Sequence, residues 1–159
     1  MTPEILGVDI GGVVISRQPD RSDTSFFHGR YLETPAVPGA LDALRAITDA
    51  QRFAEVWFVS KCGANVQRKT VEWLHAHDAF TRTGIPEARL RFCLHRPEKA
   101  TIARELGLTH FVDDRVDVLD AMAEVVRHRF LFGDVKAPGD MIVAPTWRDV
   151  LDVLRVAVA

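Results

Sequence analysis

Several things are scarce in this sequence, and each absence excludes something. Its only cysteines, Cys62 and Cys93, lack CxxC spacing, which excludes a disulfide framework and a cysteine-rich zinc site. No apolar run approaches the roughly 20 residues of a membrane span. The first residues lack the basic stretch and apolar core of a secretory leader. A formal net charge of −2 gives no bulk attraction to nucleic acid or anionic lipid. There is no internal repeat, low-complexity tract or linker. These absences lead us to expect a single domain over residues 1–159, reduced and cytoplasmic. A chain of 159 residues buries roughly two-thirds of its unfolded surface and needs no staples. Apolar residues make up 47% and charged residues 26%, the proportions of an ordinary globular domain.

What is present alternates. Runs of β-forming residues at 4–9, 55–60, 89–94, 110–114 and 128–132 read as strands. Segments of helical period separate them: a helix opened by Pro38-Gly39, then 65–77, 97–107, 115–126 and 146–158, the last with Thr146 as N-cap. "VVIS" (13–16) reads as an extension of the first strand past a Gly-Gly break. Residues 17–36 are polar, without period, and read as a flap-like loop in place of a large cap. Strands joined by helices of this length predict an α/β fold: a three-layer, Rossmann-like parallel sheet with helices on both faces.

In such sheets ligands sit beyond the carboxyl ends of the strands. Polar residues stand where the apolar runs stop. Asp9 ends the first strand, Ser60 the second, and Asp113 and Asp114 the fourth, while Lys99 lies in the first turn of the helix before it. Three carboxylates in one place raise one another's pKa unless a cation joins them. Mg²⁺ suits a few carboxylates plus water and substrate phosphate. A carboxylate nucleophile, a metal and a lysine around one anionic group make a phosphoryl-transfer site. Each residue alone has a simpler reading: Ser60 as a helix cap, Lys99 as a solvated helix residue, Asp113–Asp114 as a cap and a first-turn charge.

Taken in order, "GVDIGGVV", "VWFVSK", "RPEKATI" and "HFVDDR" resemble the four motifs of the haloacid dehalogenase-like (HAD) superfamily, and "PAVPGALDAL" resembles its Pro-Gly helix start. The resemblance implies a Mg²⁺-dependent phosphatase or phosphotransferase of the capless type. It makes Asp9 the nucleophile that forms an aspartyl-phosphate. It places magnesium on Asp9, the Gly11 main-chain carbonyl and Asp114, with Asp113 supporting the metal shell. Ser60 would hold the phosphoryl group and Lys99 would orient Asp9. Lys61 and Arg17 are further substrate-binding candidates, and Arg115 is a neighbour. The substrate would be a phosphorylated small molecule, nucleotide or macromolecule, with a second copy of the chain as one way to close an open site.

The pattern breaks at one position. Phosphatases of the superfamily carry a second Asp two residues after the nucleophile, and here that position is Gly11. Either another group, such as His28 in the loop, supplies the proton, or the leaving group needs none, or the chain is an inactive binding or regulatory module. "GVDIGG" is also similar to the phosphate loop of actin-like sugar kinases, which need two domains. Arg17, Arg21, Arg30, Arg82, Arg89, Arg91 and Arg96 suggest attraction of an anion. Cys62 reads as a small loop residue, His75 and His77 as poor joint ligands at i, i+2, and Trp57, Trp73 and Trp147 as packing residues.

Overall fold

The computed structural model describes residues 2–17, 30–133, 136 and 138–158. The expected alternation folds into β1 (Ile5–Val8), α1 (Ala40–Asp49), β2 (Glu55–Lys61), α2 (Ala64–Ala76), α3 (Ala79–Thr83), β3 (Leu90–Cys93), α4 (Glu98–Leu106), β4 (His110–Asp113), α5 (Val116–Ala121), β5 (His128–Phe132), β6 (Ile142–Ala144) and α6 (Trp147–Leu154). The six strands form one sheet in the order β3-β2-β1-β4-β5-β6, with every pair parallel.

Alternation along the strands feeds two cores. Leu6, Val8, Phe58, Val112 and Phe130 meet Leu44 and Ile47 of α1, Trp73 of α2 and Trp147 of α6 on one face. Ile5, Val59, Phe111 and Leu131 meet Ile102 of α4 and Val118 and Leu119 of α5 on the other. Helix α6 shows how the packing is written locally. Trp147, Val150, Leu151 and Leu154 are buried at helical spacing, and each aliphatic side chain so buried stabilises by about 1.5–3 kcal/mol. Thr146 caps it as expected: its backbone N–H donates to Asp149 Oδ2 at 2.9 Å, and the Asp149 N–H donates back to its hydroxyl at 3.3 Å.

Several details differ from the sequence reading, besides the unexpected α3 and the end of α6 at Leu154. "VVIS" is not a strand. The N–H groups of Val13, Val14 and Ile15 all donate to the Ile10 carbonyl, so the chain curls back on itself. Val13 and Val14 are apolar because the curl buries them. The short β6 follows a Pro/Gly-rich stretch and is defined by its pairing with β5. Helix α5 stops at Ala121, and Met122 and Val126 stay buried from the turns beyond.

The sheet's other end, where the strands begin, carries a buried histidine. His110 is 3% exposed, stacks on His128 at 4.4 Å and lies 3.5 Å from Glu4. Burial lowers its pKa to about 4; His128 and Arg52 push the same way, and Glu4 opposes them. The unfolded chain therefore takes up this proton first. His110 contributes its full stability above about pH 6.5 and loses it as pH falls toward 4, a change of order 3 kcal/mol. Urea unfolding of wild type and His110→Gln between pH 7 and pH 4.5 should show wild type losing its advantage as pH drops. A constant difference would contradict this.

Candidate active site

Four strand ends converge on one cleft. Asp9 follows β1 directly, and its N–H donates to the Val112 carbonyl of β4 at 3.0 Å, which fixes it between the two central strands. At the floor, Lys99 reaches over from α4. Its Nζ donates to Asp9 Oδ1 at 2.9 Å and to Asp113 Oδ2 at 2.8 Å. All three side chains are buried, at 3%, 6% and 0% exposure for Lys99, Asp9 and Asp113. Burial alone would lower the Lys99 pKa, but the two carboxylates outweigh it and hold the ammonium above its usual range. Asp113 has no spare oxygen, because its Oδ1 accepts the Arg115 backbone N–H at 3.0 Å.

Asp114 is placed differently. Arg17 pairs with its Oδ2 at 3.2 Å, and its Oδ1 is buried without a hydrogen-bond partner among the described residues. Burial and then the Asp9 charge push both Asp113 and Asp114 above the usual carboxylate range, while Lys99 and Arg17 oppose the shift. Oxygens of Asp9, Asp113 and Asp114 all lie within 4.8 Å of one another. Clustered hard oxygen donors, one of them orphaned, fit a divalent cation. The tight turn after Asp9 needs Gly12: its φ is +81°, and a Cβ there would lie 2.5 Å from Asp114 Oδ2.

The cleft above this floor has a volume of about 270 Å³. Ser60, Lys61 and Cys62 line one side where β2 ends, Gly11, Gly12 and Arg17 line another, and Arg96 and Arg115 stand at the rim. Thr34, Thr70 and Val66 supply a wall of hydroxyls and methyls. The expected residues Asp9, Gly11, Ser60, Lys61, Lys99, Asp113, Asp114 and Arg17 are thus all brought to one place. Among the expected arginines that are described, only Arg17 and Arg96 line this cleft; Arg91 pairs with Glu105, Arg30 with Glu33, and Arg89 borders a cleft at the opposite end of the sheet. Arg21 and His28 fall outside the described residues. Burial raises the Cys62 thiol to about 11, which suits a wall residue and not a nucleophile. His75 pairs with Glu87 and His77 stacks on Trp73, so the two do not share a ligand.

Sequence reasoning missed two features of the site. The Arg17–Asp114 pair joins residues far apart in the chain, and nothing local announces it. Thr34 and Thr70 were not singled out, since an isolated threonine in a loop or helix carries no signal.

No protein-family model matches the chain, and no curated protein matches it. Solved structures do. D,D-heptose 1,7-bisphosphate phosphatase from B. bronchiseptica, complexed with magnesium and phosphate, superposes with a TM-score of 0.67 at 18% identity, covering 96% of this chain and 98% of that one. A HAD-superfamily hydrolase from Ehrlichia chaffeensis gives 0.63 at 11% identity, with 96% of each chain covered. The cobalt-bound deoxy-D-mannose-octulosonate 8-phosphate phosphatase from Haemophilus influenzae gives 0.53 at 17% identity, with 96% and 86% covered. The chain therefore has the haloacid dehalogenase-like fold, with a buried Asp–Lys–Asp floor and an open oxygen-donor cluster at the ends of its central strands.

Proposed function

We propose that this protein is a Mg²⁺-dependent phosphohydrolase of the capless HAD type, acting on a phosphorylated small molecule, nucleotide or macromolecule through Asp9. One observation carries the reading: a buried lysine shared by Asp9 and Asp113, beside an Asp114 oxygen left without a partner, at the base of a cleft lined by Ser60, Lys61 and Arg17. The phosphatases that share the fold support it.

In this reading Asp9, the Gly11 carbonyl and Asp114 would hold Mg²⁺, which would supply positive charge to offset that of the phosphoryl group. Asp113 orients, because Lys99 and the Arg115 N–H engage both its oxygens. Lys99 fixes Asp9 by Oδ1 and leaves Oδ2 to attack phosphorus. As the Asp9–phosphorus bond forms, the ester P–O bond breaks and the leaving oxygen takes up a proton from solvent water, since Gly11 has none to give. Water then attacks phosphorus, the bond to Asp9 breaks, and phosphate leaves. Ser60, Lys61 and Arg17 bind the phosphoryl oxygens throughout.

The test is release of phosphate from p-nitrophenyl phosphate and acetyl phosphate with Mg²⁺. Asp9→Asn should lower the rate by about 10³-fold or more while the fold survives. Turnover unchanged in Asp9→Asn would exclude Asp9 as nucleophile. A second reading, a phosphate-binding module without turnover, is favoured by one observation: Gly11 leaves the acid–base position without a side chain. Phosphate and Mg²⁺ binding with no release from any phosphoester would select it.

A further inference from the structure

A second cleft adjoins the first. Its volume is about 470 Å³, and His95, Pro97, Val118 and Ala121 line it together with Lys61 and Arg96. Lys61 and Arg96 line both clefts and so form the divide between them.

The charges around this divide are not balanced. On the floor, Asp9 and Asp113 face Lys99, and Asp114 faces Arg17. Asp117, the carboxylate bordering the second cleft, is gripped by Arg115 through two contacts, at 3.1 and 3.3 Å. Glu98 accepts the His95 backbone N–H at 3.0 Å. Among the described residues neither Lys61 nor Arg96 has a carboxylate within ion-pair distance. A phosphomonoester brings two negative charges to Asp9. A divalent cation and Lys99 offset the three floor carboxylates, and Arg17 and Lys61 then offset the phosphate. Arg96 remains over. Arg96 is half-buried and borders a cleft in which the chemistry at Asp9 has no use for it. An arginine fork in such a place matches the paired oxygens of a carboxylate or phosphate.

We infer that the second cleft binds a second anionic group of the substrate, a phosphate or carboxylate carried on the leaving group, through Arg96 with Lys61 shared between the two anions. The inference rests on the phosphohydrolase reading and specifies its substrate class. It predicts that substrates with one phosphate and no other anion are poor.

The test compares matched pairs with Mg²⁺: fructose 1,6-bisphosphate against fructose 6-phosphate, and 3-phosphoglycerate against glycerol 3-phosphate. Wild type should favour the member with the second anion by about tenfold in kcat/KM, and rising NaCl should shrink the preference. The first pair reports a phosphate preference and the second a carboxylate preference. Arg96→Gln should abolish the preference, with a far smaller loss for p-nitrophenyl phosphate hydrolysis, while Arg96→Lys keeps part of it. Equal kcat/KM within both pairs, or an Arg96→Gln loss that is the same for every substrate, overturns the inference and leaves the phosphohydrolase reading intact. If no substrate turns over, that reading fails and calorimetry decides the subsite. Methylenebisphosphonate should then bind wild type about tenfold more tightly than inorganic phosphate does, with the advantage lost in Arg96→Gln. Equal binding overturns the inference.

Discussion

Gly11→Asp should raise the rate of phosphate release from alkyl phosphates by about 10²-fold or more, the range that general acid–base help supplies. The structure makes this a clean experiment. Among the described residues a Cβ built on Gly11 meets nothing within 4 Å, and Gly11 is not among the residues with positive φ, so an aspartate fits there without backbone strain. Gly11 lines the cleft beside Asp9, so a carboxyl on it stands where a leaving oxygen needs a proton and a water needs a base. The gain should be largest for leaving groups of high pKa and small for p-nitrophenyl phosphate, whose leaving group needs little protonation. No gain with alkyl phosphates would mean that another group already supplies the proton. Gly12→Asp is the contrasting control. Its φ of +81° and the 2.5 Å approach to Asp114 Oδ2 forbid the side chain, so stability and activity should both fall.

Lys99→Met should cost about 3–5 kcal/mol of stability and abolish turnover together. The methionine fills the space but leaves Asp9 and Asp113 facing each other in a buried floor without a cation. The folded state then favours protonated carboxyls, so the loss should be greatest at neutral pH and shrink as pH falls toward 5. A double variant, Lys99→Met with Asp113→Asn, removes one of the stranded charges. It should recover much of the stability and none of the activity, because Asp9 still lacks the donor that fixes Oδ1. Urea midpoints and initial rates measured on the same preparations separate the two effects. Full stability in Lys99→Met at pH 7 would show that Lys99 is not what balances this floor.

Much of the fold can be read from local pattern. Alternation places Leu6, Val8, Phe58 and Val112 on one face and Val59, Phe111 and Leu131 on the other. The run of Trp147, Val150, Leu151 and Leu154 places α6. The curl at Val13–Ile15 is invisible locally, because a run of β-branched residues looks alike whether pairing or a turn buries it. Strand β6 is hidden for a related reason: three residues carry too little period, and only the exposed edge of β5 decides their pairing.

An element ends where its apolar period stops, so local pattern alone puts a carboxylate, a hydroxyl, a lysine and an acidic pair at ends of successive elements. How these groups divide the work depends on the folded arrangement. It set Lys99 between Asp9 and Asp113, left one Asp114 oxygen unpartnered, joined Arg17 to Asp114 and put Arg96 on the divide between two clefts. The physical reason is range. Hydrophobic period is written over neighbouring residues, whereas charges choose partners by distance in space, and strand order sets that distance.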